Sequence, residues 1–181
     1  SLCSWWEKHP ENFVIVNGVA KTFSMTGWRI GYTLADKECI AAMSRFQGQS
    51  TSNAAAVSQK AAEAALKGDF RLVEEMRQAF LRRRDLGVKL LKEIPGIKVN
   101  VPQGAFYLFP EVDTYFGKSA GERKITDVGE LAMYLLEEGH VATVGGAAFG
   151  APTCLRLSYA TSDEQLAEAI KRIKETLAKL K

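Results

Sequence analysis

Cysteine and histidine are scarce in this chain, and the few present are badly placed for shared chemistry. Cys3, Cys39 and Cys154 lie far apart with no CxxC pair, which argues against a disulfide framework and against a zinc site. His9 and His140 are distant from one another and have no ligand-like neighbour, so each reads as a structural histidine and no metal is expected. Long apolar runs are missing, and no basic-plus-apolar leader opens the chain, so neither a membrane span nor a membrane partner is expected. Charge of one sign is missing as well. The net charge is +3, and stretches such as AIKRIKETLAKLK mix bases with acids as a solvated helix face does, which gives no footprint for nucleic acid. The simplest compartment is cytoplasmic. The opening SLCSWWEKHPENFVIV has no methionine, and it carries Trp5 and Trp6 side by side, which are costly to leave in water. A chain that starts this way looks cut from something longer.

What is present is ordinary globular composition: 181 residues, 46% hydrophobic and 25% charged, enough for one generous domain or a small domain plus part of another. FVIV (13–16) is a short apolar run consistent with a strand covered on both faces. RIGYTLA offers a second strand. Asp36 can cap a helix whose Ile40, Met43 and Phe46 recur at helical spacing. STSN offers caps for AAAVSQKAAEAALKG, which ends at Gly68. Asp69 opens the longest pattern, with Leu72, Met76, Phe80, Leu86 and Leu90 on one stripe, stopped by Pro95-Gly96.

After this the texture changes. IKVNV and AFYLF are strand-like, TYFGKSAGERKI reads as an exposed loop, and TDVGELAMYLLEEG as a helix capped by Thr126 or Asp127. HVATVGG and CLRLSYA are further strands, and Ser162 with Gln165 stand in capping-box positions for a closing helix. The expectation is an α/β fold in two parts, an α/β layer over residues 1–80 and a smaller α+β unit over 81–181.

The stretch most suggestive of chemistry is VNGVAKTFSMTGWRIGY (16–32). Ligands of α/β sheets collect at loops beyond strand carboxyl ends, and Lys21 lies directly beyond FVIV. An amine held there, partly desolvated and near another cation, would have its pKa lowered and could attack a carbonyl to form a Schiff base. Arg29, eight positions on, could supply that charge, and its planar fork suits a phosphate. Gly27 between them would let the backbone come close to a ligand. An amine that takes an aldehyde beside an arginine that takes a phosphate is what pyridoxal phosphate requires.

The run K-T-F-S-M-T-G-W-R-I-G resembles the lysine signature of the class I/II, fold-type-I aminotransferases, and PQGAFYLF and LRLSYATS resemble stretches of that family's carboxy-terminal half. VNGVAK, MTGWRIGY and SYATSDEQL look closest to its aspartate/prephenate branch. The resemblance implies the end of the large α/β cofactor domain followed by the small α+β domain, with pyridoxal 5'-phosphate as cofactor. It further implies an amino acid and a 2-oxo acid as substrates, exchanged by a ping-pong route, in a homodimer of the full-length protein. Residue by residue, Lys21 resembles the lysine that binds the cofactor aldehyde and shuttles the substrate proton. Arg29 resembles the phosphate-binding arginine, and Arg156 the arginine that takes the substrate α-carboxylate. STSNAAA (50–56) resembles a stretch that approaches the partner subunit's cofactor phosphate. Without the resemblance, Arg156 would read as a strand arginine pairing a structural acid. Trp28 reads as a packing wall, Gly104 and Phe106 as turn and core, and Tyr107 and Tyr159 as core aromatics with hydrogen-bonded hydroxyls.

The chain departs from the pattern in places. Gly18 and Ala20 stand where one branch has phosphate-binding serines, and no arginine occurs in 50–56 for a substrate side-chain carboxylate. The family's phosphate loop, ring-stacking aromatic and ring-nitrogen aspartate all precede the lysine, where only twenty residues stand here. The 181 residues alone are therefore expected to be incomplete as a transaminase. Three alternatives stay open: a lyase, synthase or regulator domain on the same cofactor fold, a non-catalytic folded or dimerisation module, and a separate chain supplying the remaining half.

Overall fold

A computed structural model describes residues 3–6 and 8–181, so Ser1, Leu2 and Glu7 lie outside it. The chain divides into two compact units, Ser1–Glu74 and Glu75–Lys181, the division falling inside one long helix.

The first unit opens on a short helix, α1 (Cys3–Trp6), and is then built on a hairpin. Strands β1 (Ile15–Gly18) and β2 (Gly31–Leu34) pair antiparallel, from Ile15 opposite Leu34 to Gly18 opposite Gly31. Two helices follow, α2 (Lys37–Ser50) and α3 (Ala56–Lys67). Asp36 caps α2 as the sequence suggests, its carboxylate accepting from the Glu38 amide at 2.8 Å. The expected cap of α3 is not made. Its N-cap is Ala55, with no side-chain hydrogen bond, because Ser50 and Thr51 end α2 and Ser52 turns into the left-handed region (φ +63°).

The expected two-sided cover of FVIV is also absent. The strand begins two residues late, and Val16 is 75% exposed, because β2 is its only strand partner among the described residues. The apolar stripe of α2 is likewise uncovered, Phe46 being 78% exposed.

The second unit carries the core. Helix α4 (Arg71–Lys92) leads into it, its start capped by Asp69, whose carboxylate accepts from the Arg71 amide at 2.9 Å. Strands β3 (Tyr107–Leu108), β7 (Leu155–Ser158) and β6 (Val144–Gly145) form an antiparallel sheet in the order β3-β7-β6. Helices α5 (Val128–Gly139) and α6 (Asp163–Leu177) pack with α4 around Leu91, Leu108, Ile125, Leu131, Leu135, Ile170 and Leu177, all essentially inaccessible to water. Gly87 explains how α4 gets so close to β3: a Cβ there would sit 2.6 Å from Leu108 Cδ1.

TYFGKSAGERKI proves more ordered than an exposed loop. It holds a 3-10 turn (Asp113–Tyr115) and a small hairpin, β4 (Ser119–Ala120) with β5 (Arg123–Lys124). Tyr115 and Ile125 are buried beneath it, and their apolar surface is what draws the segment inward. IKVNV contributes only an isolated bridge, Lys98 opposite Glu111, instead of a full strand. The helix caps are the predicted ones: Asp127 accepts from the Gly129 and Glu130 amides, and Ser162 from the Gln165 amide at 3.2 Å. Gln165 does not complete the reciprocal box, since its side chain bonds Thr161 instead.

Asp163 ties the start of α6 to α4, accepting from Arg82 Nε at 2.7 Å and Arg83 Nε at 3.0 Å. These hydrogen bonds, with the two positive charges, hold its carboxyl below the usual carboxylate range. A depressed native pKa gives stability that is full above the unfolded-state value and is lost as pH falls through the native one. Asp163→Asn is therefore expected to lower the denaturation midpoint at neutral pH and to converge on the parent protein in acid. A gap that stays constant or widens as pH falls, measured by chemical denaturation, contradicts this.

Candidate functional site

The hairpin of the first unit sets the ends of a loop, residues 19–30, that carries both Lys21 and Arg29. Val19 anchors the loop, fully buried. From there the chain winds through backbone turns in which the Phe23 amide donates to the Val19 carbonyl at 3.2 Å, and Met25 to Ala20 at 3.0 Å. Phe23 is pinned edge-on against Phe70, with ring centroids 5.6 Å apart. A 3-10 turn (Thr26–Trp28) then ends on Arg29, which adopts φ +49° and ψ +52°. Ser24 is also left-handed, at φ +54°. Two non-glycine residues in that region within one short loop amount to stored backbone strain, which is concentrated at functional segments.

Arg29 is exposed, and its Nη1 donates to the Thr26 carbonyl at 2.9 Å. That contact closes the guanidinium over the turn and fixes its direction while most of its N–H donors remain for another acceptor. Lys21 is exposed too, so within the described residues of this unit water reaches it. Nothing stands within 4 Å of where a Cβ at Gly27 would be, so the space beside the backbone there is open. Trp28 is half exposed at the rim. The stretch STSNAAA contributes Asn53 and Ala54 to a cavity of about 400 Å³ that also has Val19, Ile30, Tyr32 and Gln59 in its wall.

Arg156 belongs to the second unit and sits on β7. Strand alternation sends Leu155 and Leu157 into the core and leaves Arg156 and Ser158 on the other face, half-buried and exposed. Val144 stands directly opposite Arg156, and Tyr107 lies on the diagonal, opposite Ser158. The guanidinium carbon is 4.6 Å from the Tyr107 ring centroid and 4.4 Å from that of Phe149. Among the described residues no carboxylate pairs with it, so the alternative of a structural ion pair is not realised.

Sequence reasoning named Tyr107 only as a core aromatic and missed Phe149. The diagonal strand register could have found the first. The second depends on the turn at 146–151, whose path no periodicity announces. Tyr159 behaves as expected, buried and donating to the Ala105 carbonyl at 3.0 Å. Gly104 has open space around it, and Ala105 is left-handed at φ +59°. Among the described residues no group of histidine, cysteine and acidic side chains could hold a metal ion, and no helix is long and apolar enough to cross a membrane.

The family model for aminotransferase class I and II matches residues 1–173. The chain is 48% identical over 168 residues to an aspartate aminotransferase of Streptomyces avermitilis, covering 93% of this chain and 41% of that protein. It is 50% identical over 165 residues to an aspartate/prephenate aminotransferase of Cereibacter sphaeroides, covering 91% and 41%. In structure it is similar to the aspartate aminotransferase of Rhizobium meliloti, with a TM-score of 0.87, 43% identity, and coverage of 93% of this chain and 42% of that one. The chain thus spans about two fifths of the length of the curated relatives it matches.

The left-handed backbone at Arg29 can be separated from its side chain by substitution. Both Arg29→Gly and Arg29→Ala lose the side-chain bond to Thr26, and Arg29→Ala should be about 1 kcal/mol less stable than Arg29→Gly, since only the alanine keeps a Cβ in the left-handed region. Equal stabilities of the two variants in thermal denaturation would show that residue 29 leaves the left-handed region easily.

Proposed function

The chain belongs to the class I and II aminotransferase family, and on that premise we propose that it is the carboxy-terminal part of a fold-type-I, pyridoxal-phosphate-dependent enzyme. Residues 1–80 would close the large cofactor domain and residues 81–181 would form the small domain. The parent reaction is transfer of an amino group between an amino acid of the aspartate or glutamate type and a 2-oxo acid. The observation that carries this reading is a primary amine and a guanidinium displayed on one strained loop, the donor set that an aldehyde and a phosphate on one molecule require.

Lys21 Nζ would hold the cofactor covalently through its aldehyde carbon, and Arg29 would grip the phosphate. When bound, the cofactor supplies an electron sink that lets an amino acid give up its α-proton. Once the incoming amino group has displaced it from the aldehyde carbon, Lys21 Nζ would take the Cα proton and deliver it to that former aldehyde carbon, acting as general base and then general acid. Arg156 would present its in-plane N–H groups to the substrate α-carboxylate.

The exposure of Lys21 in this chain means that the rest of the enzyme must exclude water around it. Homodimerisation of the full-length protein and a cytoplasmic location belong to the same proposal. The uncovered apolar side chains Val14, Val16, Met43 and Phe46 support further protein surface packing on the first unit.

Lys21→Ala in the full-length protein is expected to lower the rate of amino transfer from aspartate to a 2-oxo acid by about 10²- to 10⁴-fold, the usual worth of a positioned proton carrier. Retention of most of the rate rules out the proposed role. Release of ammonia without a new amino acid would place the enzyme among lyases instead.

A further inference from the structure

We propose that Phe149 and Tyr107 are positioning residues that clamp Arg156 between their rings and so present its guanidinium edge-on to a carboxylate ligand. The inference rests on the reading of Arg156 as the carboxylate-binding arginine and adds what holds it in place.

A guanidinium is planar, with two faces that stack and an edge that hydrogen-bonds. Ring centroids at 4.4 Å (Phe149) and 4.6 Å (Tyr107) occupy stacking distance from the guanidinium carbon. With two rings at that distance and no carboxylate partner among the described residues, the N–H groups are left for an incoming anion. The arrangement also answers a difficulty of using arginine. Its long side chain has many rotamers, and freezing them when ligand arrives would weaken binding. Two rings already in place freeze them beforehand, and they shield the charge from water without neutralising it.

Each ring is itself held. Tyr107 lies on β3, paired with Ser158 of β7, and its ring packs at 4.5 Å on Phe106. Phe149 ends a 3-10 turn (Gly146–Phe149) that is stitched by backbone bonds, with Gly146 N donating to the Cys154 carbonyl at 2.7 Å and Ala151 N to the Gly146 carbonyl at 3.0 Å. Gly146 is required there. A Cβ would run into the Ala151 carbonyl and lie 2.6 Å from that of Cys154. Gly150 completes the turn at φ +74°, and the Phe149 ring rests edge-on against Phe109 at 6.4 Å. A ring that is 50% exposed yet so firmly mounted is poorly explained by core packing and well explained by the cation beneath it.

The test uses the cofactor-loaded, full-length enzyme, with succinate as an unreactive carboxylate probe. Phe149→Leu and Tyr107→Leu remove a ring, while Phe149→Tyr and Tyr107→Phe keep one. The ring-less variants should raise KM for the amino acid and the inhibition constant of succinate about three- to tenfold with kcat little changed, and the ring-keeping variants should stay near the parent. Arg156→Lys serves as the control and should weaken both far more. If Arg156→Lys weakens binding but the ring-less variants do not, the clamp is wrong and the arginine's role stands. If ring-keeping variants lose as much as ring-less ones, the effect is general packing and the clamp is again wrong. If Arg156→Lys changes nothing, the underlying reading of Arg156 fails. Phe149 is half exposed, so its leucine variant should fold and decides the matter even if Tyr107→Leu does not.

Discussion

Four cross-strand pairs, from Ile15 opposite Leu34 to Gly18 opposite Gly31, fix both ends of the loop that carries Lys21 and Arg29. The proposed chemistry depends on that pairing. A twelve-residue segment between free ends would not hold a lysine and an arginine in a constant relation, and loop closure would have to be achieved by the ligand. Here the hairpin closes it in advance, Val19 pins one end into the interior, and the turn ending at Arg29 is locked by the arginine's own bond to Thr26. The price appears in the backbone, where Ser24 and Arg29 are held left-handed.

In the second unit the organising constraint is alternation along β7. The same four residues that bury Leu155 and Leu157 must put Arg156 on the opposite face, so a well-packed core and an arginine kept out of it are one requirement. A one-residue slip would bury the guanidinium and expose two leucines, which the core would resist strongly. The ring of Tyr107 arrives over Arg156 through the same register.

Much of this was legible in the residues. Asp36, Asp127 and Ser162 cap the helices they precede, because a short acceptor before an apolar period satisfies amides that would otherwise lack partners. The family could be named from short motifs. Other features were not local. FVIV looks like a buried strand because its composition records what should cover it, while within this chain Val16 meets water. TYFGKSAGERKI looks like a loop because its turn residues outnumber the two side chains, Tyr115 and Ile125, that pull it into the core. The Phe149 contact needs two sequence-distant segments to meet, and spacing says nothing about that.

The central claim is that one ligand engages both cations of the hairpin loop. Borohydride reduction of the full-length protein with limiting pyridoxal phosphate, followed by peptide mapping, tests it most directly when repeated with Arg29→Gln and with phosphate-free pyridoxal. The account predicts a label on Lys21 whose yield falls in Arg29→Gln only when the ligand carries its phosphate. A label on another lysine, or a loss in Arg29→Gln that is equal for both ligands, would contradict it.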